Sequence, residues 1–583
     1  MNSSAENINS LWSELIVEEL IRHGINYFCI SPGSRSTPLT TAIARHAQAQ
    51  KIIIYDERSA AFHALGYARA RGKPAVLICT SGTAPANYLP AVIEARQENV
   101  PLIVLSADRP PELRDSGANQ TVDQIGLFGS YVNWFFDMPA PDANLSPAFV
   151  LDRVDRLVDK ALGHPPGPVH LNCMFREPLA PEKQTLPSRY LNPITHWLRS
   201  RKAFTSVTRS RLISEPDRLD FLLETLNRTR NGLLIAGELP PWADKISLWR
   251  CLQKLQWPVF ADITSGLRLG FDWPGFVPHF DLLLAGDAPR FDTVIHMGGR
   301  FVSKRLWQYL QTHPPQVHVQ IASGDQWINP SKTVTHRIGI DLGEFCALAE
   351  RNTDNSTQGK SLIKRLRRQS DVIAALVEEQ FDRETLTQPG IARTIAREMP
   401  EGHGLFLANS LSVREMDMFA VRPKKPVFVA ANRGASGIDG NISSAAGFAV
   451  GLQKPVTLLI GDLAFLHDLN ALGVLRRIRQ PLVVVLINNG GGGIFHWLPI
   501  AQFDDVFENY FATPHSFHFR HAAHQFDVQY RQPLSLPEFV QAYRQALASG
   551  QPALIEIKTD RTLNAKQYFE LLKAIKEKTE PLA

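Results

Sequence analysis

The sequence predicts an α/β protein built from three doubly wound parallel-sheet domains, and three observations predict it. Short runs rich in Val, Ile and Leu recur along the chain without alternation, as strands covered on both faces do. Stretches of helical periodicity separate them. Two polar stretches, Glu177 to Ser214 and Arg351 to Ser361, break this rhythm as linkers would, and divide the 583 residues into segments 1–190, 191–360 and 361–583.

The first segment has strand-like runs at Tyr27 to Ile30, Lys51 to Tyr55, Ala75 to Cys79, Leu102 to Ser106 and Val169 to Asn172. The second has Leu233 to Ala236, Val259 to Ala261, Thr293 to Met297 and Val317 to Ile321. The third has Gly404 to Ala408, Val427 to Ala430, Val456 to Ile460, Val483 to Ile487 and Ala553 to Ile557. PAVLICTSGTAPANYLPAVIEARQENVPLIVLSAD, from Pro74, and PVTLLIGDLAFLHDLNALGVLRRIRQPLVVVLINN, from Pro455, both run strand, small turn, helix, Pro, strand. Either a duplicated nucleotide-like binding domain or two convergent βαβ units accounts for the likeness.

Hydrophobic residues at 44% and charged residues at 20% fit a globular chain, and no apolar run approaches the roughly 20 residues that span a bilayer. A membrane partner is therefore not expected. The net charge of +5 is dispersed, and its densest stretch, Lys360 to Arg368, reads as a solvated helix face, so nucleic acid is not expected either. Cys29, Cys79, Cys173, Cys251 and Cys346 are scattered and lack a CxxC spacing, which points away from a disulfide framework or a zinc site. The opening MNSSAENINSLWSELIVEEL lacks the basic and apolar regions of a signal peptide, and a cytoplasmic location is expected.

The chemistry concentrates in VVVLINNGGGGIF, residues 483 to 495. A buried strand here opens into the crevice where α/β folds hold ligands, and the amides of Gly490 to Gly493 are expected to cradle a phosphate. Asp462 follows the preceding strand and Asn489 follows this one, so a right-handed crossover can set the two side by side. With the backbone carbonyl of Gly491 they make an oxygen set suited to Mg²⁺ or Mn²⁺.

The step from Asp462 to Asn489, a GD followed by an NN pair, resembles the signature of the thiamine-diphosphate (ThDP) enzymes, although Leu463 and Ala464 stand where many members have Gly and Ser. The resemblance implies a pyrimidine-binding first domain, a central domain and a diphosphate-binding third domain. It also implies a catalytic Glu57 against the aminopyrimidine N1′, Ile438 as an apolar wedge under the cofactor, and further cofactor contacts from Ser410, Leu463 and Gly492. Ile494 and Phe495 would wall the thiazolium side, while His467 and His496 flank the site without an assigned role.

SPGSRSTPL (31 to 39), DERSAAFHALGYARA (56 to 70), TSGTAPANYLPAVIEA (80 to 95), ADRPPELRDSGANQT (107 to 121), NRGASGIDG (432 to 440) and GDLAFLHDLN (461 to 470) are similar to one branch of that superfamily, the synthases of 2-succinyl-5-enolpyruvyl-6-hydroxy-3-cyclohexene-1-carboxylate (SEPHCHC). This implies decarboxylation of 2-oxoglutarate and addition of the succinyl unit to isochorismate, on the way to menaquinone or phylloquinone. It implies substrate contacts from Ser34, Arg35, Arg109, Asn119 and Gln120, from Lys304 and Arg305, and from Ser410, Arg414 and Arg433. Arginine forks suit these dicarboxylates. Active sites would lie between chains of a homodimer or homotetramer. Another ThDP carboligase such as an acetolactate synthase, and a non-catalytic nucleotide-binding regulator, are the competing readings.

Overall fold

The computed structural model describes residues 5–207, 215–322, 324, 326–352, 359–381, 384–421 and 426–579. They form three sheets in which every pairing is parallel. The first contains β1 (Tyr27–Ile30), β2 (Gln50–Ile53), β3 (Ala75–Cys79), β4 (Leu102–Asp108), β5 (Trp134–Met138) and β6 (Pro168–Met174), in the order β2-β1-β3-β4-β6-β5. The central sheet contains β7 (Gly232–Ala236), β8 (Val259–Ala261), β9 (Thr293–Met297), β10 (Val317–Ala322) and β11 (His336–Gly339), in the order β11-β10-β9-β7-β8. The last contains β12 (Gly404–Leu407), β13 (Phe428–Ala431), β14 (Val456–Gly461), β15 (Leu482–Asn488), β16 (Gln529–Arg531) and β17 (Ala553–Lys558), in the order β13-β12-β14-β15-β17-β16. Counted along its own segment, the third sheet repeats the strand order of the first.

Three strands escaped the sequence pattern, β5, β11 and β16, and each is the outermost strand of its sheet. An edge strand has one open side and a less covered face, so it does not require a continuous apolar run. Most of these residues are only half-buried, and Gln529 is exposed. The run read as Lys51 to Tyr55 ends at Ile53, because Asp56 already caps the next helix by accepting the Ser59 N–H. The run read from Val427 starts at Phe428.

The stretch from Glu177 to Ser214, read as a linker, is exposed over most of its described length but is pinned down at buried Leu179, Tyr190, Ile194 and Trp197, and residues 208–214 lie outside those described. Trp197 and Tyr190 are buried, the Trp197 indole donates to Glu19 at 2.5 Å, and the Trp12 indole donates to the Tyr190 hydroxyl at 2.8 Å. Two buried aromatics outweigh the polar composition around them. Of the second polar stretch, residues 353–358 also lie outside those described. The helix Lys360–Gln380 buries Leu362, Ile363 and Leu366 and exposes its Lys and Arg side chains, the solvated face expected of it. No helix among the described residues is long and apolar enough to cross a membrane.

The chain divides into two compact units, residues 1–210, 432–453 and 468–479 in one, and 211–431, 454–467 and 480–583 in the other. In the first unit the helix Glu57–Arg71 crosses the helix Asn441–Leu452 at very short range. A Cβ on Gly66 would stand 2.0 Å from the Ser444 carbonyl oxygen, and one on Gly447 would stand 1.9 Å from that of His63. In the second unit the central and last sheets share a continuous apolar core, with Leu233, Phe260 and Val294 packed in one cluster with Leu405, Val485 and Ile555.

Candidate active site

Asp462 opens a short helix directly after β14 and is buried. Its Oδ2 accepts the N–H groups of Gly490 at 2.8 Å and Gly491 at 3.1 Å, with His515 Nε2 3.3 Å away, and its Oδ1 accepts the Leu463 N–H at 2.7 Å. Burial pushes its carboxyl above the usual range, and the Gly491 N–H pulls against that push. Asn489 follows β15 and turns one amide atom toward Asp462 Oδ2 at 3.2 Å and the Gly491 carbonyl oxygen at 2.7 Å. As nitrogen that atom would donate to both; as oxygen it joins two other acceptors, a grouping that only a cation between them favours. Spacings of about 3 Å match neighbouring oxygens around a Mg²⁺ bound at roughly 2.1 Å. The donor set therefore fits a hard divalent ion.

The glycine run corrects the sequence reading. The Gly490 and Gly491 amides are taken by Asp462, that of Gly492 donates to the Ala512 carbonyl at 2.7 Å, and that of Gly493 to the Gly491 carbonyl at 2.9 Å. They are not free to cradle a phosphate. Glycine is required for space and torsion instead: Gly491 has φ +144°, and a Cβ there would lie 2.2 Å from the Ala512 carbonyl oxygen.

Other second-unit candidates surround distinct strand ends. Ser410 takes φ +68° at the head of the helix Leu411–Phe419, just beyond β12, and Arg414 Nη1 donates back to its carbonyl at 2.6 Å. Ile494 and Phe495 lie in the turn Gly493–Trp497, half-buried, with Phe495 edge-on to Phe511. Leu463 and His496 are half-buried and His467 is exposed. At the start of the helix Lys304–Thr312, Lys304 is exposed, whereas the Arg305 guanidinium pairs with Asp281 and donates to the Tyr568 hydroxyl at 2.7 Å.

In the first unit, Glu57 is the first residue of its helix and half-buried; burial raises its carboxyl pKa, and neighbouring Asp56 adds to the rise. Arg109, beyond β4, donates to Ser81 Oγ at 2.6 Å and to the Asn119 carbonyl at 3.0 Å, while Gln120 Nε2 donates to the Ser81 carbonyl at 3.1 Å. Arg35, beyond β1, is buried and donates to the Phe175 carbonyl at 2.9 Å. Its guanidinium pKa is lowered, first by burial and then by the charge of Arg109. Arg109 and Gln120 thus meet at Ser81, Asn119 is joined to them through Arg109, and Arg35 donates its own N–H to Oγ1 of neighbouring Thr80 at 3.3 Å, with exposed Ser34 next to Arg35 in the turn. Arg433 and Ile438 share a loop whose next two amides, Gly434 and Ala435, donate to the buried Glu94 carboxylate at 2.7 and 2.6 Å.

Family models match all three segments: the thiamine pyrophosphate enzyme N-terminal TPP binding domain over residues 12–127, the middle domain over 188–407 and the C-terminal TPP binding domain over 414–557. The 2-succinyl-5-enolpyruvyl-6-hydroxy-3-cyclohexene-1-carboxylate synthase of Rubrobacter xylanophilus is 44% identical, over 98% of this chain and 99% of the relative. This chain belongs to the SEPHCHC synthase family. Relatives of the same name from Salinibacter ruber and Chlorobium phaeobacteroides are 41% and 42% identical, with at least 98% of each chain covered.

Within this SEPHCHC synthase family member, sequence reading missed Ser81, Glu94, Asp281, His515 and Tyr568, each of which touches a candidate site residue. Only Ser81 left a trace in the sequence, since the internal repeat sets it where Asp462 stands. The others act across long sequence separations and have no local signature.

Proposed function

We propose that this chain catalyses the ThDP-dependent decarboxylation of 2-oxoglutarate and the addition of the succinyl unit to isochorismate, yielding SEPHCHC and CO₂ for menaquinone or phylloquinone synthesis. The observation that carries this reading is the cluster of Asp462, Asn489 and Gly491 oxygens, in a chain whose full-length relatives are named for that product. These three groups would hold Mg²⁺ or Mn²⁺ and, through it, the diphosphate. When bound, ThDP supplies the electron sink that lets a 2-oxo acid lose CO₂ and the carbon that carries the succinyl unit.

The residues of the chain do the rest. Glu57, with its carboxyl pushed upward by burial, is suited to share a proton with the cofactor's N1′. Arg35 and Arg109 present guanidinium groups to the carboxylates of the dicarboxylate substrates, and Arg414 and Arg433 extend that set. Lys304 is open to solvent and free to approach an anion. Ile494 and Phe495 keep an apolar wall beside the diphosphate loop, and Ile438, 38% exposed, has surface to offer a cofactor. An acetolactate synthase would handle smaller monoacids and have less use for these arginines.

We read the cofactor, as the family resemblance implies, as held between two copies of the chain, with a dimer as the smallest active assembly; a fully active monomer by light scattering would contradict this. A cytoplasmic location accords with five free, buried cysteines. The deciding assay follows isochorismate consumption with 2-oxoglutarate, ThDP and Mg²⁺, each omitted in turn. Dependence on all three supports the proposal; decarboxylation with isochorismate untouched would retain the cofactor site and reject the acceptor.

A further inference from the structure

The last helix, Arg561–Thr579, carries Arg561, Asn564 and Tyr568 at positions i, i+3 and i+7, which share one helical face. All three reach segments that bear proposed site residues. Arg561 Nη1 donates to the Gly490 carbonyl at 2.9 Å, within the loop between Asn489 and Gly491. Asn564 Nδ2 donates to Glu415 Oε1 at 3.2 Å, on the helix headed by Ser410 and carrying Arg414. Tyr568 accepts from Arg305 Nη2 at 2.7 Å while its ring stacks on Trp497, with centroids 4.0 Å apart and planes 6° from parallel.

We infer that this helix face is a positioning element for the site, and that Tyr568 sets the aim of the Arg305 guanidinium toward a substrate carboxylate. An arginine side chain has many rotamers, and a guanidinium serves as a fork only when its plane is fixed. Two anchors fix it here: Asp281 holds Nη1 from one side, and the Tyr568 hydroxyl holds Nη2 from the other. Each anchor is itself held, Asp281 by the Ser303 hydroxyl at 2.5 Å and Tyr568 by the Trp497 stack. Without the hydroxyl, Arg305 keeps its charge and loses its plane, a fault that weakens substrate capture more than the reaction step. The inference rests on the reading of Arg305 as a substrate contact.

The test is steady-state kinetics of Tyr568→Phe, Arg305→Lys and the double variant in the full-length enzyme, with both substrates varied and thermal melting as a control. Tyr568→Phe keeps the ring stack. It is expected to raise KM for one dicarboxylate about fivefold with kcat and melting temperature nearly unchanged, the size of one lost hydrogen bond. Arg305→Lys should raise the same KM, and the double variant should be no worse than Arg305→Lys. If Arg305→Lys raises KM and Tyr568→Phe does not, the positioning role is overturned while the proposed function stands. If neither variant moves KM in an active enzyme, Arg305 is no substrate contact and the inference falls with that assignment. A fall in kcat and melting temperature at constant KM would make Tyr568 a packing residue and overturn the inference as well.

Discussion

The first and third sheets share one strand order, and their matching strand ends differ in chemistry at two positions. By register, Ala75 pairs with Leu102 as Val456 pairs with Leu482, so Ser81 matches Asp462 and Arg109 matches Asn489. In the first sheet the pair is a hydroxyl under a guanidinium at 2.6 Å; in the third it is a carboxylate facing an amide at 3.2 Å. One geometry presents a cation, and the other gathers the Asp462 carboxylate, the Asn489 amide and the Gly491 carbonyl, the set proposed to hold one. The layer beneath repeats the contrast: Asn172 donates to Asp108 at 2.8 Å, whereas at the matching places Asn488 donates to Glu556 at 2.6 Å. The same buried hydrogen bond is made in both, with amide and carboxylate exchanged between strands. The strand order supplies the two adjacent ends, and the side chains on them set the charge of the ligand each end can accept.

The most direct way to break this comparison is Asp462→Ala, expected to abolish Mg²⁺-dependent ThDP binding in a calorimetric titration; an unchanged affinity would move the metal elsewhere. Next is Glu57→Gln, for which turnover at saturating ThDP should drop about a hundredfold or more, and near-normal turnover would remove it from catalysis. At the first-sheet position, Arg109→Lys should raise KM for a dicarboxylate about tenfold without altering ThDP affinity. A change in ThDP affinity instead would erase the distinction between the two strand ends. Glu94→Gln is expected to cost only a few-fold in KM, because one of the two loop amides can still be accepted by the carbonyl of the new amide.

The smallest expected effect concerns Glu415, whose buried carboxyl is pushed up to about 8. A folded pKa above the ordinary 4.5 means that the folded state holds the proton more tightly, so this group's contribution to stability is present below about pH 4.5 and is lost as pH rises toward 8. Melting of the Glu415→Gln variant should therefore fall less steeply between pH 5 and pH 8 than that of the parent, and identical slopes would contradict the assignment.

Much of the architecture was legible in the sequence because central strands of a parallel sheet must be apolar on both faces. The edge strands β5, β11 and β16 carry no such requirement, and they went unread. The pairing of Asp462 with Asn489 was legible for a related reason: a right-handed crossover between neighbouring parallel strands sets their carboxyl ends together. The glycines after Asn489 were legible as necessary and misread in purpose, since a local pattern does not reveal that Asp462 and Ala512 take their amides.

The sequence by itself determined the three sheets, the repeated strand order hinted at by its internal likeness, and the strand ends that carry Asp462, Asn489 and Arg109. All of these follow from local periodicity and chain direction. Only the tertiary structure decided how Arg305 is aimed, which carboxylate clamps the Arg433 loop, and which glycine amides are already engaged. Those are contacts between residues far apart along the chain, where neither partner's neighbours in sequence constrain the other until the core has packed.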